Sequence, residues 1–447
     1  VDFLDGYRST PELSFAVRHN RCDCGIMVTA SHNPPSDNAV KVYWSTGGQL
    51  LPPHDRGVID CVAAVTNIAR VPFGQGIADG TIICCQQPID RAYQAAVLEQ
   101  SLPGPRDLKL VYSPMHGVGA ASIVPVLHAA GFDDVTVFAP HATPDGDFPN
   151  VPGHVANPEN TATFAAIIEH ARAVGADLVL STDPDADRLG CAAPVARGGE
   201  WRTLSGNQIG ALLAEFVLDG RRRAGRLGRE HYVLKTLVTT EMIRRIADSY
   251  GIATHGKLHV GFKHIGAAID EYGPERFVIA AEESHGYLAG SYARDKDATV
   301  AALLMAELAA SVKAAGLTLH EKLDALYWQH GCHSEVQISR TLPGSEGMQR
   351  MAHLMLNLRR DPPATLGGLK VIGVHDYLLE TPSADMVVLD LEGADNRVAI
   401  RPSGTEPKIK FYLFAFEPPE LIGDLAATKA ELRARLARVS DDLARLE

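Results

Sequence analysis

The chain has 447 residues, and its charged side chains sum to 42 − 54 = −12 at pH 7. That length exceeds one hydrophobic core, so three or four domains are expected; 46% hydrophobic and 21% charged residues is the make-up of a globular protein. The acidic balance argues against a general nucleic-acid binder, though not against a local basic pocket for a small phosphate ester. Seven cysteines without zinc-ribbon spacing read as reduced thiols. No uncharged apolar run reaches membrane-spanning length, and residues 1–5 lack a basic-then-apolar leader pattern. The expected setting is cytoplasmic, with neither membrane nor nucleic acid as partner.

In chain order, Ser9 or Thr10 caps a helix with Pro11 in its first turn and Leu13, Phe15 and Ala16 on its apolar face. Residues 25–28 form a short buried strand that must leave its sheet at Thr29-Ala30-Ser31-His32-Asn33-Pro34, because Pro34-Pro35 cannot continue it. Ser31 therefore stands on a loop at a strand end, where open α/β sheets place their chemistry; the competing reading is a polar turn. A strand over 40–44, a turn at Gly47-Gly48 and a helix from Pro52-Pro53-His54 complete a first unit to about residue 88.

Residues 89–207 alternate strand and helix: strands at 108–112, 135–138 and 177–181, helices at 123–130 and 161–174 closed by Gly131 and Gly175. This pattern implies a parallel sheet. The third strand runs into Asp183-Pro184-Asp185-Ala186-Asp187-Arg188. Carboxylates at i, i+2 and i+4 of an extended segment face one way, and three of them repel unless a cation sits among them. Oxygen ligands of this kind select Mg²⁺; a solvated acidic turn is the competing reading. His116-Gly117-Val118-Gly119 after a strand is a weak dinucleotide fingerprint, read as a tight turn.

Residues 208–330 repeat the alternation, with a helix from Gln208, a strand near 232–234, a helix through 242–243, and a strand 276–280 ending in Glu282-Glu283-Ser284-His285-Gly286. An Ala/Leu helix over 299–314 follows. From 331 the composition shifts to short strands at 386–389, 397–400 and 409–416 and a charged final helix, a smaller α+β domain. Its Arg401-Pro402-Ser403-Gly404-Thr405-Glu406-Pro407-Lys408 loop supplies hydroxyls, backbone N–H groups and two cations, which suits a phosphate dianion.

These four loops in this order resemble the α-D-phosphohexomutase family, nearer its phosphoglucomutase/phosphopentomutase branch. Supporting segments are Asp37–Tyr43, Pro144-Asp145-Gly146-Asp147-Phe148-Pro149, Asn157-Pro158-Glu159, Ser205-Gly206-Asn207-Gln208 and Gly261-Phe262-Lys263. The resemblance implies three related α/β mixed-sheet domains (1–88, phosphoserine; 89–207, metal; 208–330, sugar) and a smaller α+β domain (331–447, phosphate) around a central cleft. It implies a phosphosugar mutase that interconverts sugar 1- and 6-phosphates through a phosphoserine and a bisphosphorylated sugar, with sugar 1,6-bisphosphate as activator. Ser31 would carry the phosphoryl group and, with Asp183, Asp185 and Asp187, hold Mg²⁺. Lys41, with a lowered pKa, would be the general acid/base, with His285 and Lys263 as weaker candidates and Arg188 beside the metal. His32, Lys263, Glu282 and Ser284 would contact the sugar phosphate; Arg401, Ser403, Gly404, Thr405 and Lys408 would hold the other phosphate. The expected assembly is a monomer or homodimer. A phosphopentomutase, a sugar-phosphate phosphatase and a non-catalytic sugar-phosphate binder are the alternatives.

Ala39-Val40 and Ala298 depart from the Gly-containing family pattern, which affects loop shape more than chemistry. The family's leading Gly-Thr-x-Gly-x-Arg-Gly and Gly-x-Asp-x-Arg segments have no counterpart before Ser9. The expectation is therefore that the native protein extends upstream, that 1–88 is less stable than the rest, and that this form is weakly active or inactive.

Overall fold

The computed structural model describes residues 1–403 and 408–446. The chain forms two compact units, one made of 1–237 with 247–322, the other of 238–246 with 323–447.

In the first unit, Ser9 caps helix Thr10–His19: its Oγ accepts from the Glu12 N–H at 3.3 Å, and Pro11 sits in the first turn. Strand Cys24–Val28 pairs antiparallel with Val40–Trp44 in a sheet of two strands. Ile26, Val28 and Val40 remain 63%, 67% and 59% exposed there, so little apolar burial supports these hydrogen bonds. Strand Leu178–Thr182, in contrast, is buried at every position. We expect amides of 24–28 to exchange with deuterium much faster than those of 178–182. Equal protection of the two strands in hydrogen-exchange mass spectrometry would contradict this.

Two further sheets share one plan. In the first, Val135–Val137, Leu110–Ser113 and Leu178–Thr182 lie parallel, and Leu189–Pro194 and Trp201–Leu204 return antiparallel. In the second, Ala253–Leu258, Tyr232–Thr236 and Phe277–Ala281 are parallel and Tyr287–Ala289 is antiparallel. The sheet of 89–207 is thus mixed, as the family resemblance implied, where strand and helix alternation by itself had pointed to a parallel one. A parallel return needs a crossover of a dozen or more residues; the stretch between Thr182 and Leu189 is too short and can only reverse. Both sheets thus place a chemistry-bearing loop at the tight reversal between a buried parallel strand and an antiparallel neighbour.

Helix Gln86–Leu98 runs across a division at 88/89. Helix Ala298–Ala314 is buried along nearly its whole length, which accounts for its apolar sequence. No single described helix is long and apolar enough to cross a membrane.

Glu12, in the first turn of its helix, is 1% exposed and beside Asp90, which Arg8 grips with two hydrogen bonds of 2.7 and 2.8 Å. Burial, with the hydrogen bond to Asp90 next, pushes the Glu12 carboxyl up to about 9. The folded state therefore keeps a proton that the unfolded state releases above its ordinary pKa near 4.5. The stability this gives is present at low pH and is lost as pH rises through that window. We expect Glu12→Gln to flatten the fall in denaturation midpoint between pH 5 and 9, which one proton limits to ~1.4 kcal/mol per pH unit. An unchanged slope in the variant would assign the fall to other groups.

The second unit carries a six-stranded antiparallel sheet in the order Cys332–Thr341, Lys408–Glu417, Arg397–Pro402, Val387–Leu391, Leu369–Asp376 and Thr365–Leu366. Helices Gly344–Arg360 and Leu425–Leu446 accompany it. Strand Cys332–Thr341 escapes a sequence reading because only its first two residues are buried, so it lacks a clear alternation.

Candidate functional site

Ser31 leaves strand Cys24–Val28 in a left-handed conformation, φ 54°, with its N–H donating to Thr29 Oγ1 at 2.8 Å. Its Oγ donates to Asp183 Oδ2 at 2.9 Å and lies 3.2 Å from His32 Nδ1. Ala186 (φ 51°) and His285 (φ 68°) share this uncommon conformation for non-glycine residues. Each of the three loops thus holds a strained residue, as functional loops often do.

Asp183, Asp185 and Asp187 offer one carboxylate oxygen each within 4.8 Å of one another. The convergence was expected, but its cause differs. Residues 183–187 form a turn, with Ala186 N–H donating to Asp183 O, rather than an extended run. The turn is held from several sides. Asp183 Oδ1 accepts the N–H groups of Asp187 and Arg188 at 3.1 and 3.0 Å. Val118 N–H donates to Pro184 O at 2.8 Å, and a Cβ on Gly117 would sit 2.2 Å from Pro184 Cα. The glycines at 117 and 119 therefore serve close packing under the acidic turn, in keeping with the turn reading of that segment.

Two ammonium groups reach the carboxylates. Lys41 Nζ lies 2.9 Å from Asp185 Oδ2 and 3.0 Å from Asp187 Oδ2; Lys296 Nζ lies 2.8 Å from Asp187 Oδ2. Thr10 Oγ1 donates to Asp185 Oδ2 at 2.7 Å. Burial, Asp187 and Asp185 drive the Asp183 pKa well up. Burial also raises those of Asp185 and Asp187, but the lysines outweigh it and both end below the usual carboxylate range. The lowered pKa expected for Lys41 is not found. Burial pulls it down, and Asp185, Asp187 and Asp295 more than reverse this, leaving it well above the ordinary value.

Asp185 Oδ1 and Asp187 Oδ1 are buried without a hydrogen-bond partner. Unpartnered buried carboxylate oxygens are costly, and they are the ligand positions a hard divalent cation takes. The donor set, all oxygen with a serine hydroxyl alongside, fits such an ion.

The Glu282 loop docks on the acidic turn. Arg188 bridges to Gly286, Leu189 N–H donates to His285 O at 3.0 Å, and His285 Nδ1 lies 3.0 Å from Leu189 O. Glu282 Oε1 accepts Gly261 N–H at 3.1 Å, two residues before Lys263. Burial pushes the Glu282 carboxyl up to about 8, against Lys296 and with Glu283. Burial, then Arg188, lowers His32 to about 4, so its ring is neutral at pH 7. A Cβ on Gly206 would meet Glu283 O at 2.0 Å, which seats helix Gly206–Arg223 directly behind this loop.

The fold thus brings together Ser31, His32, Lys41, the three aspartates, Arg188, Glu282 and His285. Lys263 and Ser284 are half-buried, and neither has a described polar side-chain contact. Arg401, Ser403 and Lys408 belong to the second unit, where Ser403 N–H donates to Lys408 O at 2.7 Å; Gly404 and Thr405 lie outside the described residues. Three participants were missed. Lys296 stands in a charged run, 294–297, just before an apolar helix, and that contrast was the available signal. Thr10 was read only as a possible helix cap, and Glu159, which pairs with Arg188, only as part of the Asn157-Pro158-Glu159 segment.

Three mixed α/β regions whose strand-end loops set a serine hydroxyl against three carboxylates define a group-transfer enzyme of the α/β class. Residues 1–69, 91–196 and 205–330 match the models of α/β/α domains I, II and III of phosphoglucomutase/phosphomannomutase. The chain is 34% identical to the phosphoglucomutase of Staphylococcus haemolyticus over 435 residues, 92% of this chain and 77% of that one. In fold it resembles pp63/parafusin, a phosphoglucomutase from Paramecium, with a TM-score of 0.70 at 19% identity over 100% of this chain and 82% of that one. It also resembles Aspergillus fumigatus N-acetylphosphoglucosamine mutase in complex with GlcNAc-6P and magnesium, with a TM-score of 0.53 at 14% identity over 96% and 93% of the two chains. The chain belongs to the α-D-phosphohexomutase family, on its phosphoglucomutase branch. It is a phosphosugar mutase, an isomerase.

Proposed function

We propose that the enzyme interconverts the 1- and 6-phosphates of glucose, mannose or both, with Ser31 as the phosphoryl carrier. The observation that supports this most directly is the 2.9 Å contact of Ser31 Oγ with a carboxylate cluster that retains two unpartnered oxygens. Phosphoserine 31 gives its phosphoryl group to a hydroxyl of the bound sugar monophosphate. The P–Oγ bond breaks, a P–O bond to the sugar forms, and the hydroxyl proton passes to the enzyme. The bisphosphorylated sugar then returns its other phosphoryl group to Ser31, the proton goes back to the oxygen released, and the isomer leaves.

Asp183, Asp185 and Asp187, with Ser31, would hold Mg²⁺, whose charge offsets that of the transferring phosphoryl group. Lys41 is the candidate acid/base, poised as an ammonium donor. Arg188, oriented by Glu159, adds fixed positive charge. His285 exchanges protons only through Nε2, since Nδ1 faces Leu189 O. Glu282 and Ser284 contact sugar hydroxyls, with His32 and Lys263 beside the phosphate. We place the enzyme with its soluble substrates in the cytoplasm.

A coupled assay over glucose, mannose and pentose 1-phosphates tests the reading: 6-phosphate products from a hexose are expected. Release of free phosphate with no 6-phosphate would point to a phosphatase instead. The phosphate that is not being transferred is assigned to Arg401, Ser403 and Lys408. Arg401→Ala should raise KM by roughly 10-fold or more with kcat little changed, because a contact to a non-reacting group is made equally in ground and transition states. A loss confined to kcat would put Arg401 at the reacting phosphoryl group.

A further inference from the structure

A cavity of about 190 Å³ opens in the first unit, away from the acidic turn, between the C-terminal ends of helices Gln86–Leu98 and Gly206–Arg223 and strand Tyr287–Ala289. Its walls carry two arginines, Arg221 and Arg226, and the apolar side chains of Leu102 and Val217. The run Arg221-Arg222-Arg223 divides its charge. Arg222 and Arg223 both turn to Asp219, at 2.7 and 2.9 Å. Arg221 turns the other way, into the cavity, and among the described residues neither it nor Arg226 has a carboxylate partner. Of the five N–H donors of a guanidinium, Arg221 uses one, toward Phe277 O at 3.4 Å. Arg226 N–H donates to Arg221 O at 2.8 Å, which fixes the two residues side by side. Glu99 stands exposed at the rim and forms no ion pair with either.

Burial, then the like charge of Arg226, pulls the Arg221 pKa down, the opposite of what a carboxylate partner does. Two guanidiniums at one wall, one of them half-buried with donors to spare, are the groups that bind a phosphate through paired hydrogen bonds. The cavity is smaller than the ~300 Å³ at which drug-sized sites begin, so the ligand is small.

We propose that this cavity is a second anion site, separate from the catalytic one, that takes the phosphate group of inorganic phosphate or of a small phosphate monoester. Arg221 and Arg226 grip the phosphate, and Gln100, Leu102 and Val217 face whatever it is attached to. The cavity reaches the strand that leaves the Glu282 loop through Ala289, so occupancy there meets an element that also positions the sugar-contacting residues.

The test is hydrogen-exchange mass spectrometry on the full chain, with millimolar inorganic phosphate, glycerol 3-phosphate, or sodium chloride at matched ionic strength. Slowed exchange is expected across 97–102 and 217–226 with phosphate or its monoester and not with chloride. The stronger response of the two identifies the source. Arg226→Glu, an exposed position, should abolish the protection without altering the exchange of 178–182, and Arg221→Gln should weaken it severalfold. Arg401→Ala, which lies outside this cavity, should leave it intact. Protection that persists in Arg226→Glu, or that chloride reproduces, overturns the site. So does an absence of any protection: the arginines would then serve only to neutralise the carbonyl ends of two helices.

Discussion

Ser31→Ala is expected to reduce mutase turnover by about 10⁴-fold or more, since the covalent route is lost altogether. Alanine can occupy the φ 54° position as serine does, so the loop keeps its path. What disappears is the hydroxyl that donates to Asp183 at 2.9 Å. Asp183 Oδ1 still accepts two backbone N–H groups, so the acidic turn should hold its shape. Intact-mass measurement should find one phosphate on the wild-type chain after incubation with a sugar bisphosphate and none on the variant. Binding of glucose 1-phosphate by calorimetry should persist within a few-fold, because the proposed sugar and phosphate contacts, His32 apart, lie on other loops. Near-normal turnover in the variant would sink the phosphoserine route. Loss of binding together with turnover would mean that the substitution had damaged the loop.

Asp185→Asn is expected to lower kcat by about 10²–10³-fold, the scale of losing one preorganised charge at a phosphoryl-transfer centre. The amide retains an oxygen where Lys41 Nζ and Thr10 Oγ1 now donate, at 2.9 and 2.7 Å. It replaces an anionic oxygen with neutral groups, however, and the adjacent unpartnered position is the one a cation would use. Activity should depend on Mg²⁺ in both proteins, with the half-saturating Mg²⁺ concentration raised in the variant. A divalent ion should also raise the thermal midpoint of the wild type more than that of Asp185→Asn, a readout that needs no turnover. Full wild-type activity in excess chelator would remove the metal from the mechanism.

The candidate loops could be picked out in the chain because group transfer calls for particular residue types at short spacing. Ser31 after an apolar run, three aspartates at alternate positions, Glu282 in a polar loop and the Arg401–Lys408 stretch are local features, and local sequence suffices to find them. Strand and helix alternation through 89–330 likewise follows from periodicity along the chain. Residues whose role is set by partners far away were not legible. Lys296 meets Asp187 across 109 positions and Thr10 meets Asp185 across 175.

The sequence by itself determined which side chains are candidates for phosphoryl transfer and that strand ends carry Ser31, the three aspartates and Glu282. The tertiary structure decided their state. It showed that the aspartates converge through a turn, that the sheets reverse at the reactive loops, and that Lys41 is charged when a lowered pKa was expected. The physical reason is that a pKa and a hydrogen-bond partner depend on burial and on charges within a few ångströms. Those neighbours come from segments that only folding brings together.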